Sequence, residues 1–233
     1  MIQIKGLNKK FGELNIFEEF DLNIDNGEII CLLGESGCGK TTLLNILSGI
    51  INPDGGEIMG MSKDISYIFQ ETRLLPWYSV YDNINFILKD NIKNKADRKN
   101  TIEKYLDIVK LLDYKNYYPK QLSGGMKQRV SIARAFAYKS DILFMDEPFK
   151  GLDFELKKKL INSFIDLWNE DKRTVLFVTH EIDEALLIAD KIYMLKGRPV
   201  KIDNLVKIDI PKKDRKISMN KLQEIKDNIY SLL

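Results

Sequence analysis

Gly34-Glu35-Ser36-Gly37-Cys38-Gly39-Lys40-Thr41 follows directly on the apolar run Ile29-Ile30-Cys31-Leu32-Leu33. The eight residues fit the pattern G-x-x-x-x-G-K-[ST]. The run before them has strand length and no polar residue, which suits a strand covered on both faces. After them Leu43, Leu47 and Ile50 recur at helical spacing, so the order predicted is strand, glycine loop, helix. Glycines let successive backbone N–H groups turn toward one anion, and a helix N-terminus adds positive partial charge. The loop Gly34–Thr42 is therefore expected to cradle a polyphosphate, through Gly34, Glu35, Ser36, Gly37, Cys38, Gly39, Lys40, Thr41 and Thr42. Lys40 is placed to reach β/γ phosphates, and the Thr41 hydroxyl to ligate Mg²⁺.

A second strand-length run, Ile142-Leu143-Phe144-Met145, ends in Asp146-Glu147. Asp146 stands at the strand end and is expected to hold Mg²⁺. Glu147 points elsewhere and is the candidate general base on a water. Two adjacent carboxylates near polyphosphate are costly unless a metal offsets their charge. Val175–Val178 repeats the buried-strand pattern, and between the two runs Leu156, Leu160, Phe164 and Trp168 align on a helix. Apolar strands alternating with helices predict a parallel α/β sheet.

Outward from this core the pattern changes. Ile2, Ile4 and Leu7, then Leu22 and Ile24, alternate as β-strands, and Asn52-Pro53-Asp54-Gly55-Gly56 reads as a turn. The stretch 76–139 is helical in pattern and rich in Lys, Asn and Asp, with Ile102, Leu106 and Val109 on one face. A hairpin is expected around Lys196-Gly197-Arg198-Pro199, and a last helix carrying Leu222, Ile225 and Ile229, capped by Ser218. The organisation predicted is one α/β domain over 1–233. Its mostly parallel core comes from 1–75 and 140–233, with an N-terminal antiparallel β portion and a helical insertion over about 76–139.

Composition narrows the classes. The 233 residues carry 36 basic and 34 acidic side chains, a net charge of +2. That balance argues against a disordered tail protein and against a dedicated nucleic-acid binder. No apolar run approaches the ~18–20 residues of a membrane-spanning helix, and a cytosolic chain is expected. One histidine, His180, excludes a His-rich metal site, and Cys31 and Cys38 are expected as reduced thiols.

Leu122-Ser123-Gly124-Gly125-Met126-Lys127-Gln128-Arg129 is the sharpest signal. Ser123 reads as the N-cap of a helix through Val130 and Ala133. Gly124 and Gly125 leave its first N–H groups unscreened, a second anion site. One chain already has a phosphate loop, so the second site makes sense facing the nucleotide of another copy.

Leu122–Arg129 resembles the signature of the ATP-binding subunits of ABC transporters, and the resemblance covers nearly the whole chain. It implies a P-loop NTPase core that binds and hydrolyses ATP with Mg²⁺. It implies a homodimer in which each ATP lies between one chain's Gly34–Thr42 loop and the other's Ser123, Gly124, Gly125 and Gln128. It places Phe11 where an aromatic stacks on adenine. Gln70 becomes the residue sensing Mg²⁺ and the attacking water, His180 the switch at the γ-phosphate, and Asp153 the aspartate of the loop at the dimer contact. Lys150 departs from the family, which carries a small residue there.

Gln70-Glu71-Thr72-Arg73-Leu74-Leu75-Pro76-Trp77, Tyr118-Pro119 and Val178–Ala185 resemble the nitrate, sulfonate and taurine importer branch, which also includes importers of pyrimidine vitamin precursors. That implies a peripheral subunit at the cytoplasmic face of the cell membrane, bound to permease subunits, with a separate solute-binding protein and no nucleic acid. Trp77 and Tyr78 either line a groove for a permease helix or pack inside the helical segment. The rivals are a soluble ABC ATPase outside transport and a P-loop phosphotransferase. The first usually needs two cassettes or a coiled coil, and the second lacks the signature segment.

Overall fold

The computed structural model describes residues 1–232. Alternating buried side chains build the N-terminal part. β1 (Ile2–Phe11) pairs antiparallel with β2 (Leu14–Ile24), then β3 (Ile29–Gly34) leads into α1 (Lys40–Leu47). β4 (Gly55–Met59) returns to the other edge of β1, giving a three-stranded sheet ordered β2-β1-β4. Glycines hide β4 in the sequence. Gly55 and Gly56 read as turn, yet they belong to this strand, where a Cβ on Gly56 would meet the Gly6 carbonyl oxygen at 2.4 Å.

β5 (Ile65–Ile68) precedes three helices, α2 (Val80–Leu88), α3 (Lys95–Ile108) and α4 (Gly124–Ala137). The rest alternates as expected: β6 (Ile142–Asp146), α5 (Phe154–Asp171), β7 (Thr174–Thr179), α6 (Ile182–Ile188), β8 (Lys191–Lys196), β9 (Lys201–Lys207) and α7 (Asn220–Leu232). The second sheet is ordered β5-β6-β7-β3-β8-β9, parallel throughout except for β9. The fold is thus a P-loop α/β core with a mostly parallel sheet, an antiparallel N-terminal portion and a helical insertion.

β3 lies inside this sheet, and its unbroken apolar run has a visible cause. Ile29, Cys31 and Leu33 pack into one core with Phe136, Leu160 and Phe164. Ile30 and Leu32 face the opposite core with Leu43, Leu44, Ile4 and Phe20. The helical insertion shares the first core through Ile84, Leu88, Ile102, Leu106 and Val130. Both cysteines are free and buried.

Two local expectations fail. Ile50 does not continue the face of α1: the helix ends at Leu47, Gly49 turns with φ 73°, and Ile50 is 57% exposed. Ser218 does not cap α7. The Met219 carbonyl accepts from the Gln223 N–H at 3.0 Å, so Met219 holds the cap position before Asn220.

Because β5, β6, β7 and β3 run parallel, their carboxyl ends share one edge, where ligands of open α/β sheets bind. Register levels these ends: Asp146 pairs with Val178, and Thr179 with Leu33. The loops that follow start side by side.

Candidate functional site

The glycine loop leaves β3 at Gly34, where a Cβ would meet the Leu195 carbonyl oxygen at 2.6 Å. Gly39 opens α1 at φ 111°, and a Cβ there would meet Ile16 Cγ2 at 2.7 Å. Both positions require glycine, one for room and the other for room and conformation. Lys40 is buried under the loop and donates Nζ hydrogen bonds to the carbonyls of Gly34 (2.8 Å) and Glu35 (2.7 Å). Glu35, Ser36 and Gly37 are exposed, Cys38 is buried and Thr42 is half-buried. Arg198, in the β8–β9 turn, donates to the Gly37 carbonyl at 2.7 Å and props the loop from outside. Sequence reasoning missed that contact, which spans 161 positions.

Thr41 Oγ1 donates to Asp146 Oδ1 at 3.0 Å, so the loop and the end of β6 meet. Burial pushes the Asp146 carboxyl up; the Thr41 hydrogen bond opposes this and neighbouring Glu147 adds to it. A buried carboxylate, a hydroxyl and a second carboxylate form an oxygen-only donor set. It suits a hard cation such as Mg²⁺, which keeps waters and phosphate oxygens in its shell. Among the described residues no cluster of three or more acidic, His or Cys side chains forms an all-protein cage.

Glu147 follows with φ 44°, its N–H donating to the Val178 carbonyl at 3.0 Å. Its Oε1 lies 3.2 Å from His180 Nδ1, and its Oε2 pairs with Lys150 Nζ at 2.6 Å. Burial acts upward on this carboxyl, but Lys150 and His180 outweigh it and hold it below the usual carboxylate range. His180 itself follows β7. Behind it, Thr179 Oγ1 donates to Glu184 Oε2 at 2.6 Å, and Lys157 of α5 pairs with Glu181 (2.6 Å) and Glu184 (2.9 Å).

Gln70 is exposed just past β5. Phe69 beside it stacks on Tyr67 at 4.0 Å, with the Arg73 guanidinium 3.8 Å from its ring centroid. Arg134 of α4 donates to the carbonyls of Thr72 (3.1 Å) and Arg73 (3.0 Å). Phe11 is 48% exposed and therefore not a core aromatic; Lys9 Nζ stands 5.3 Å from its ring centroid.

The signature segment divides. Ser123 caps α4 as expected, its Oγ accepting from the Met126 N–H at 3.3 Å. Ser123 and Gly124 are exposed, and a Cβ on Gly124 would meet nothing within 4 Å. Gly125 and Gln128 turn inward instead. A Cβ on Gly125 would lie 2.2 Å from Leu156 Cδ2, so its glycine serves the packing of α4 on α5. Gln128 is buried and donates its amide to the Pro148 carbonyl, so that amide is engaged within its own chain. Asp153 caps α5, its Oδ1 accepting from the Leu156 N–H at 2.9 Å. The family resemblance groups these three with the nucleotide contacts; in this structure their contacts are made within their own chain. Among the described residues no hydrogen bond or ion pair joins Ser123 or Gly124 to the glycine loop.

Residues 17–150 match the family model described as ABC transporter. A nitrate import ATP-binding protein of Synechocystis sp. is 36% identical over 252 residues, covering 100% of this chain and 94% of its own. An aliphatic sulfonates import ATP-binding protein of Zymomonas mobilis is 40% identical, covering 92% and 90% respectively. The dimeric structure of a bacterial ABC transporter cassette superposes with a TM-score of 0.78 at 30% identity, covering 89% of this chain and 98% of that one. A post-hydrolysis dimer bound to ADP and Pi gives 0.77 at 29%, with the same coverage. A match spanning most of the chain in sequence and fold settles its membership: the protein belongs to the ABC transporter ATP-binding family, and it is an ATPase.

Proposed function

We propose that this chain, folded as one domain over 1–233, hydrolyses ATP as a head-to-tail homodimer and thereby energises solute import. The observation that carries the reading is the pair of contacts at one sheet edge, Thr41–Asp146 and Glu147–His180. They support the reading of Thr41 and Asp146 as a cation-binding oxygen pair beside Glu147 as a base oriented by His180. Thr41, Asp146 and Gln70 would hold Mg²⁺, which supplies neutralisation of developing phosphate charge when bound. Lys40 and the loop N–H groups bind the phosphates, and Phe11 offers its exposed ring to the adenine. Glu147 orients water and takes its proton, with His180 aligning the carboxylate. Ser123 and Gly124 would face the partner's nucleotide across the dimer.

The relatives named for nitrate and sulfonate import support a substrate class of small solutes: a sulfonate, nitrate, taurine or a pyrimidine vitamin precursor. Solute choice would rest with the permease and a separate binding protein. No helix among the described residues is long and apolar enough to cross a membrane. The relatives named for import support a permease contact that is peripheral, on the cytoplasmic face. The helical insertion supplies a surface for it. Trp77 is 68% exposed, and its ring, Tyr78 and Phe86 follow one another at centroid distances of 6.5 and 5.8 Å. Buried Asn83 fixes this turn, accepting from the Leu75 N–H and donating to the carbonyls of Leu75, Tyr78 and Ser79. Rigid aromatic anchors of this kind dominate many interfaces.

Glu147→Gln tests the site. It keeps shape while removing the proton acceptor. Turnover is expected to fall about 10²-fold or more, and a MgATP-dependent dimer to accumulate on size exclusion. Near-normal hydrolysis in this variant would sink the assignment.

A further inference from the structure

Lys150 lies three residues after Glu147, and its side chain does not point into solvent alone. The turn Glu147-Pro148-Phe149-Lys150 closes with the Lys150 N–H donating to the Glu147 carbonyl at 3.2 Å. Its middle is pinned. The Pro148 carbonyl accepts from Gln128, and Phe149 is buried edge-on against Phe177 at 6.3 Å. Lys150 is the exposed member of the four, and Gly151 after it has φ 74° with nothing within 4 Å of a Cβ position. Glycine is there for conformation, not for room. The chain is thus held at Phe149 and again at Asp153, which caps α5, and between them the exposed Lys150 side chain is the arm that can swing.

The free arm reaches back to the base. Lys150 Nζ lies 2.6 Å from Glu147 Oε2, an atom shut away from water, and the lysine side chain is 43% exposed. The other oxygen, Oε1, faces His180 at 3.2 Å. Both carboxylate oxygens are therefore engaged, one with a full positive charge. A general base must bring an oxygen within hydrogen-bond reach of the water it deprotonates. An ammonium has three donors and no acceptor, so the oxygen facing it is withheld from water.

We propose that Lys150 is a positioning residue that latches Glu147 in the free subunit, so that turnover requires the Lys150 side chain to swing away and release the carboxylate. This rests on the assignment of Glu147 as base. The latch is a light one. Ion pairs with one exposed partner contribute little, so removing it accelerates turnover only about two- to fivefold.

The test compares Lys150→Ala and Lys150→Arg in the isolated full chain at saturating MgATP. Lys150→Ala is expected to raise kcat about two- to fivefold with KM little changed, and Lys150→Arg to stay near wild type because it keeps the pair. Added salt, from ~0.05 to ~0.5 M, should speed wild type relative to Lys150→Ala, since only wild type has a pair to screen. A second readout needs no turnover. Amide hydrogen exchange over 147–153 in the nucleotide-free chain should quicken in Lys150→Ala and not in Lys150→Arg. A Lys150→Ala variant with kcat at or below wild type, or with unchanged exchange, overturns the latch. Glu147→Gln separates the two layers. If it still hydrolyses ATP, the base assignment has failed; if it is inert while Lys150→Ala is no faster, the latch alone has failed.

Discussion

Two helices of this protein, α1 and α4, begin at glycine-rich segments, and they are equipped very differently. α1 emerges from a loop that carries its own cation, Lys40, and a hydroxyl, Thr41, already in contact with Asp146. α4 offers a serine cap and one open glycine, with its second glycine and its glutamine turned into the protein. The backbone device is the same at both ends: free N–H groups and a positive partial charge. What differs is the side-chain chemistry around it. On the proposed reading, α1 begins a complete phosphate site and α4 supplies a half site, whose other half lies in a second copy.

The largest effect expected from this contrast comes from disabling each end. Lys40→Ala and Ser123→Arg should each reduce hydrolysis about 10²-fold or more, but for different reasons. Lys40→Ala should lose nucleotide affinity. Ser123→Arg should bind ATP as wild type does, because its own loop is untouched, and mixing the two chains should restore at most one working site per dimer. Loss of ATP binding in the Ser123→Arg monomer, measured by calorimetry, would place both ends in one site and end the comparison.

A smaller effect separates the two glycines of α4. Gly125→Ala drives a methyl into Leu156 and should cost about 1–3 kcal/mol of stability. At roughly 2–4 °C of Tm per kcal/mol for a chain of this size, thermal melting detects it. Gly124→Ala should stay within about 0.5 kcal/mol of wild type. Equal melting of the two variants would show that Gly125 does not pack as described.

The smallest effect is expected at Trp77. Its ring is exposed, so Trp77→Ala should shift the free chain by no more than about 0.5 kcal/mol while recovery of a permease complex drops. A sharp fall in the free chain's Tm, with complex recovery falling only in proportion, would make Trp77 a packing residue.

The sequence was most legible where one local cause governs. β3, β6 and β7 are apolar on both faces because both faces are covered, and their runs could be read directly. The glycine loop could be read because its shape demands glycine at fixed positions. Legibility ended where the partner is remote. Gln128 sits in a polar-looking segment, yet its partner is the Pro148 carbonyl. Arg198 meets Gly37 only because the β8–β9 turn folds over the loop. Buried Arg173 binds the carbonyls of Ala135, Phe136 and Tyr138, a role that no spacing announces. β4 escaped because its strand begins with two glycines, residues that pattern reading assigns to turns.

The grip of Arg134 on the carbonyls of Thr72 and Arg73 has a consequence for divergence. The linkage is made to main-chain oxygens, which every residue type possesses. Side chains along 72–78 can therefore be replaced without severing it, provided the backbone path survives. Such a joint works as a universal coupling: the face turned outward is free to be re-cut for a differently shaped neighbour, while the anchor of the segment after β5 to α4 is kept.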